Sequence, residues 1–257
     1  SRTPAGFRRN YNATADDPIS PGGFYHRLTP TLAEYLRDLV EHGLDEVAVP
    51  NAVDADIDRF RDVMIADGTV LRLHEFLSHE FQARHKEQAG SKLHLLHNAT
   101  AETIERIDVT DQKTNDSTLF NAGSWLHGRL VLFDRAYFEY RRSALIDGND
   151  GHLMIRLKQN ANPVITAELR EWRGRAVPLE GEQIQDVVDG LSRKYMDGGV
   201  EAEFKRGRYE GTRSLDTKRF RVLGVRDEDA DNYQLYITNV PREEFLPSGL
   251  ATLYRGR

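Results

Sequence analysis

The sequence contains no cysteine, no long apolar run and no excess of positive charge. No stretch approaches the roughly 20 apolar residues that span a bilayer, and the absence of cysteine excludes disulfides. Lys and Arg number 35 against 41 Asp and Glu, a formal net charge of -6, so no overall field attracts nucleic acid and any DNA contact must be local. Glycine patterns that bind nucleotide phosphates and the Gly-x-Ser-x-Gly setting of nucleophilic serines are also missing. The expected location is cytoplasmic.

What is present describes a folded protein. The chain has 257 residues, 39% of them hydrophobic, with eleven Phe, ten Tyr and two Trp. This length and composition suit one large domain or two modest ones and exclude disorder as the dominant state.

The first 60 residues are predicted to form a helical segment. Residues 1–19 show no apolar period and are expected to be irregular. Thr31 and Glu34 form a capping box, and apolar residues at helical spacing follow as far as Gly43. A second short helix is expected at Asp54–Asp62.

The next hundred residues, 61–160, have an α/β pattern. The apolar run Val63–Ala66 ends at Asp67, and Gly68 predicts a turn before a return strand at Thr69–Leu73. Further strands are predicted at Lys92–Leu96, Thr103–Thr110, Arg129–Phe133 and His152–Lys158, a short helix from Asp116, and a longer one at about Tyr137–Ile146.

Residues 161–248 have a β-rich pattern. Short alternating stretches at Val200–Phe204, Arg219–Val225 and Tyr233–Ile237 predict antiparallel strands, with one helix near Gln183–Ser192. Residues 249–257 read as the first turns of a final helix.

Asp67 and Asp134 are the strongest candidates for chemistry. Each follows an apolar strand, and the carboxyl ends of strands are where α/β sheets gather ligands. Two such carboxylates can share Mg²⁺, which takes hard oxygen ligands and supports phosphoryl transfer. The alternative for each aspartate is that it simply opens a turn.

Local positive charge is concentrated between Lys205 and Arg221. This stretch, here called the basic island, contains seven basic and two acidic residues. Its side chains could position DNA through phosphate contacts, or they could be the solvated face of a hairpin. Arg135, directly after Asp134, offers a second basic group. His94 and His97, three apart in a predicted strand, are expected on opposite faces and not on one metal.

The order of four short motifs resembles the DDE transposases of prokaryotic insertion sequences. They are Ile65–Thr69, Asp116-Ser117, Leu132–Phe138 and Leu253–Arg257, and the likeness covers about residues 58–257. The resemblance implies an α/β fold, with a ribonuclease-H-like mixed sheet flanked by helices and an inserted antiparallel β-rich subdomain.

The resemblance also assigns roles. Asp67 and Asp134 would be the first two catalytic carboxylates and would hold Mg²⁺, with Mn²⁺ as a substitute. DNA would be the partner, namely the element ends and the target, in the nucleoid. The protein would act as a homodimer on paired ends. Tyr254 and Arg257 match the family's terminal signature and would contact DNA, together with residues expected from local charge, Lys205, Arg206, Arg208 and Arg135.

One departure from the family pattern bears on activity. The family's catalytic glutamate follows one helical turn after the position of Arg257, so we expect the third carboxylate to be missing from these 257 residues. The chain would then be a fragment of a longer enzyme or a decayed copy. A non-catalytic DNA-binding remnant and a hydrolytic nuclease on the same core are the alternatives.

Overall fold

Helices occupy the N-terminal part of the chain: α1 (Pro4–Thr14), α2 (Pro21–Tyr25) and α3 (Pro30–Glu46). The computed structural model describes residues 4–46, 57–85, 88–169, 171–172, 175–176, 179–191, 193–206, 214–227 and 232–255. The chain divides into two compact units, residues 1–48 and 49–257. Across the described ranges, no helix combines the length and apolar character that crossing a bilayer requires.

The prediction for residues 1–19 was wrong, because α1 lies there. This helix has little apolar periodicity, and contacts made by Asn12 stabilise the chain that follows it. The Asn12 amide accepts from the Ile19 N–H and donates to the Ile19 carbonyl, each at 2.9 Å. The helix predicted after Thr31 is present as α3, but its first turn is capped by Thr29, whose Oγ1 accepts from the Leu32 N–H at 3.2 Å. Residues 54–56 lie outside the described residues, and Ile57–Arg59 form a 3₁₀ turn.

A mixed sheet dominates the second unit. Its strands are β1 (Asp62–Leu73), β2 (Ala89–Asn98), β3 (Thr103–Asp111), β4 (Arg129–Phe133), β5 (His152–Arg156), β6 (Val164–Glu168), β9 (Tyr195–Lys205), β10 (Leu215–Asp227) and β11 (Asn232–Thr238). The order across the sheet is β3-β2-β1-β4-β5-β11-β10-β9-β6. β1, β4 and β5 are parallel, and the remaining pairings are antiparallel. β7 (Glu171–Trp172) and β8 (Arg175–Ala176) pair with each other.

Helices cover both faces of this sheet, because the central strand β4 carries buried apolar side chains on both of its faces. They are α4 (Asp116–Leu119), α5 (Tyr140–Asp147), α6 (Ile184–Val188) and α7 (Pro247–Arg255). Because side chains alternate along a strand, Val131 and Phe133 join a core that includes residues of α5 and α6. Leu130 and Leu132 join a second core that includes residues of α7. The α/β fold with a mixed sheet flanked by helices is therefore confirmed.

Gly68 does not form the predicted turn. β1 runs without interruption from Asp62 to Leu73 and pairs with β2 along its length from Met64 to Leu73. The prediction failed because glycine is also used where another group approaches the backbone closely. The group that approaches Gly68 is described below.

The predicted β-rich insertion contributes β6, β9, β10 and β11 to the main sheet. The connection is made where β11 pairs with β5, with Ile237 opposite Ile155. These strands are antiparallel, as predicted, but they extend the same sheet instead of forming a separate one. The sequence could not show this, because alternation defines a strand's faces and not its neighbours.

Candidate active site

Asp67 and Asp134 lie side by side at one edge of the parallel strands. In the register between β1 and β4, Ala66 is opposite Phe133, so the two aspartates are the next residues along neighbouring strands. Neighbouring strands are separated by about 4.8 Å. Asp134 keeps an extended backbone, with φ -72° and ψ 160°, so the alternation of side chains continues through it.

The two aspartates also face the same side of the sheet. Asp67 is two residues beyond Ile65, and Asp134 is two residues beyond Leu132; both apolar residues belong to the core that includes α7. Asp67 is exposed and Asp134 is half-buried. The site therefore consists of two adjacent carboxylates on the α7 face, open to solvent.

Tyr254 joins α7 to this edge of the sheet. Its side chain is buried, and its hydroxyl donates to the carbonyl oxygen of Phe133 at 2.8 Å. Its ring packs on that of Tyr236, with 4.6 Å between the centroids. Because Phe133 directly precedes Asp134, this hydrogen bond fixes α7 to the backbone of the candidate site.

Tyr137 belongs to the core on the face of the sheet opposite α7 and contacts the backbone of Asp67. Its hydroxyl lies 3.4 Å from the carbonyl oxygen of Asp67 and donates to it. Burial raises the pKa of Tyr137 far above its usual range, and the negative charges of Asp116, Asp67 and Asp134 raise it further. The hydroxyl therefore stays protonated and remains a donor.

Asp116, at the start of α4, is contacted by two side chains of β2. The Lys92 ammonium donates to Oδ2 of Asp116 at 3.2 Å and to the carbonyl of Thr114 at 3.0 Å. Nδ1 of His94 lies 3.2 Å from Oδ1 of Asp116, and Nε2 of His94 lies 2.9 Å from the Thr110 hydroxyl. Lys92 and His94 are buried. We refer to Lys92, His94 and Asp116 as the Asp116 cluster.

The donor set at the sheet edge fits a hard divalent cation. Mg²⁺ is usually held by one or two protein carboxylates, with water and phosphate oxygens as its other ligands, and Asp67 with Asp134 supplies two. In the part of the chain that the structure describes, no group of three or more His, Asp and Glu side chains is placed to hold a metal. The described residues therefore offer a two-carboxylate site.

The basic island is divided by burial. Arg221 is buried and forms two hydrogen bonds with Asp197, at 2.8 and 2.9 Å. Arg206 pairs with Asp216 at 2.8 Å and is exposed, as is Lys205. Two further ion pairs of the island join Lys218 to Asp147 and Arg219 to Glu201.

Three other predicted DNA contacts have different positions. Arg135 is half-buried in the 3₁₀ turn that follows Asp134. Arg208 and Arg257 lie outside the described residues. Arg135 thus lies next to the aspartate pair, and the buried Tyr254 contacts the residue before Asp134. Lys205 is the last residue of β9, and Arg206 follows it.

Sequence reasoning missed the roles of Tyr137 and the Asp116 cluster. Lys92 and His94 stand two apart in β2, so they share a face, but a Lys-x-His pair in a strand is ordinarily read as solvated. The available signal was Gly68, a glycine within an apolar strand and directly after a candidate ligand. It indicated that another group approaches the strand there.

Comparison with known protein families identifies the family of this chain. The family model described as "Transposase DDE domain" matches residues 58–257, which is most of the chain and contains both aspartates. No curated protein matches the sequence.

Proposed function

Since the chain belongs to the family of transposase DDE domains, we propose that Asp67 and Asp134 hold the divalent metal used to cut and join DNA strands. Transposases of this family act on DNA and generally use divalent metals. The observation that carries the proposal is the register of β1 and β4, which brings the two aspartates together on one face.

The chemistry of the two aspartates follows from their position. A bound divalent cation lowers the pKa of an attacking water and neutralises charge on the phosphate. The protein's part is to hold the scissile phosphate in line between attacking and leaving oxygens. Asp67 and Asp134 present carboxylate oxygens at an open edge, where a DNA backbone can approach. The reaction is strand cleavage at the element end, followed by attack of the freed 3′ hydroxyl on target DNA.

We further propose that the third carboxylate approaches Asp67 and Asp134 from the α7 side of the sheet. α7 packs on the face that Asp67 and Asp134 share, and Tyr254 joins it to the residue before Asp134. By the family resemblance, this carboxylate is a glutamate one helical turn after the position of Arg257. Mg²⁺ is the expected ion, and paired element ends would bring two subunits together.

The DNA contacts are proposed on charge and exposure. Arg135 stands beside the aspartates, and Lys205 and Arg206 are exposed at the end of β9. Arg208 is included because of the local positive charge in the sequence, and Arg257 because it matches the family's terminal signature. Phosphate contacts of this kind position a duplex without reading its bases.

Strand cleavage tests the proposal. A labelled duplex that carries the element end is incubated with Mg²⁺ and a protein whose α7 continues through a glutamate. We expect nicks that disappear in Asp67→Asn and in Asp134→Asn. Asp150→Asn is the matched control: Asp150 is exposed in the turn before β5, away from the aspartate pair, and its positive φ of 54° suits asparagine. Cleavage that persists in Asp67→Asn would contradict the proposal.

A further inference from the structure

Gly68, the residue after Asp67, is crowded by Asp116. Its φ is not positive, so conformational freedom does not explain the glycine. A Cβ added to Gly68 would lie 2.6 Å from Oδ1 of Asp116 and 3.3 Å from Cγ, closer than atoms can approach without movement. The carboxylate of Asp116 therefore rests directly on the backbone of β1 at this position.

The Asp116 carboxylate is fixed from the neighbouring strand. His94 is the cross-strand partner of Gly68, and Lys92 is the partner of Val70, so both reach over the same stretch of β1. Their side chains are only 5% exposed, and that of Asp116 is 13% exposed. Shielded from water, the ion pair between Lys92 and Asp116 holds the Asp116 carboxylate more firmly than a surface pair would, and His94 packs beside it.

Asp116 lies on the opposite face of the sheet from the Asp67 side chain. Ala66 and Gly68 share one face of β1, and Ala66 lines the same cleft as Asp116, His94 and Tyr137. Asp67 points to the other face. Asp116 therefore does not act as a ligand beside Asp67; it contacts the backbone that carries Asp67.

Tyr137 holds the same peptide from the end of the sheet. Pairing between β1 and β4 ends at Ala66 and Phe133, so the Asp67 carbonyl lies beyond the parallel ladder and accepts from the Tyr137 hydroxyl. Tyr137 therefore contacts the carbonyl of Asp67, and Asp116 lies against the next residue, Gly68.

We propose that Asp116, held by Lys92 and packed against His94, is a positioning residue that sets the backbone of Asp67 and thereby the direction of its carboxylate. The inference rests on the proposed function, because it matters only if Asp67 is a metal ligand. Groups that orient a metal ligand commonly contribute 10- to 100-fold to metal affinity.

Mn²⁺ binding to the purified protein, followed by electron paramagnetic resonance of the free ion, is the test. We expect Gly68→Ala to weaken Mn²⁺ binding about tenfold or more, because the new methyl group must displace either Asp116 or β1. Asp116→Asn should weaken binding as well, since it removes the charge that the Lys92 ammonium holds in place.

Gly90→Ala is the matched control. Gly90 lies in β2, opposite Arg72 and away from the aspartates, and its added Cβ would lie 2.7 Å from Oε1 of Gln112. The substitution and the crowding by a side-chain oxygen are the same, but the site is remote. Mn²⁺ affinity should be unchanged in this variant.

A double variant separates positioning from general destabilisation. In an Asp116→Ala background the space above residue 68 is open, so Gly68→Ala should cause no further loss of Mn²⁺ affinity. A substitution that merely weakens the fold would add its effect in both backgrounds. If Gly68→Ala fails to fold, Asp116→Asn and Asp116→Ala decide the question.

The outcomes distinguish the two proposals. If Asp67→Asn weakens Mn²⁺ binding but Gly68→Ala and Asp116→Asn stay within twofold of the wild type, the positioning role is wrong and the metal site stands. If Asp67→Asn itself has no effect, the metal site is wrong and the positioning role falls with it.

Discussion

The hydroxyl of Tyr254 can have either of two roles, a structural hydrogen bond inside the protein or a contact with DNA. The resemblance assigns this residue to DNA, whereas its buried hydroxyl donates to the Phe133 carbonyl at 2.8 Å. Leaving a buried hydrogen-bonding group without its partner destabilises a protein by about 1 to 3 kcal/mol. The free energy of unfolding should therefore distinguish a structural hydroxyl from one that faces DNA.

We expect Tyr254→Phe to lower the free energy of unfolding by about 1 to 3 kcal/mol, measured by urea denaturation. DNA affinity should change little, because the ring and its packing against Tyr236 remain. Unchanged stability together with a clear loss of DNA binding would show that the hydroxyl contacts DNA.

At the scale of elements, the hairpin of β9 and β10 combines a structural part and an exposed part. Arg221, within β10, joins Asp197 of β9 to the chain that leads to α7, because it also donates to the carbonyls of Val240 and Phe245. Asp197 is fully buried and receives a second contact from Arg242. The other end of the hairpin carries the exposed Lys205 and Arg206.

Arg221→Gln should strongly destabilise the protein. The change removes the main partner of a buried carboxylate, and breaking a buried ion pair costs about 3 to 5 kcal/mol. Thermal or urea unfolding measures the loss, with Arg219→Gln as a control, since Arg219 makes an exposed pair with Glu201. Equal stabilities of the two variants would contradict this account.

The exposed end of the hairpin should govern salt dependence. If Lys205, Arg206 and Arg208 contact phosphates, replacing all three by Gln should flatten the log-log dependence of DNA binding on salt by about 0.9 per lost contact. Sequence preference should be retained. An unchanged slope would mean that the island is only a solvated hairpin.

At the scale of the whole molecule, one buried histidine, His94, and two half-buried ones, His97 and His152, link stability to pH. Burial lowers the pKa of His94, His97 and His152 below the usual value of 6.5. The unfolded chain then binds more protons than the folded one as the pH falls through about 6.5, so acid destabilises the fold.

We therefore expect the free energy of unfolding to decrease between pH 7.5 and pH 5.5, as measured by urea denaturation at both values. His152→Gln should reduce this decrease, because one of the three groups is gone. The same stability at both pH values would contradict the lowered pKa values of these histidines.

The sequence predicts β4 well, because that strand is an apolar run with clear limits, but it wrongly divides β1 at Gly68. Alternation also predicts which face each aspartate takes once the register is known. The register itself, the joining of β11 to β5 and the approach of Asp116 to Gly68 depend on contacts between residues far apart in sequence. Local periodicity carries no information about those contacts, so the Asp116 cluster became visible only in the structure.

The proposed function requires Asp67 and Asp134 to share one metal ion. Isothermal titration of the protein with Mn²⁺ tests it most directly, with Asp67→Asn, Asp134→Asn and the remote Asp150→Asn compared under the same conditions. We expect a weak Mn²⁺ site that either of the first two substitutions abolishes and the third leaves intact. Equal Mn²⁺ binding by the wild type and both site variants would contradict it.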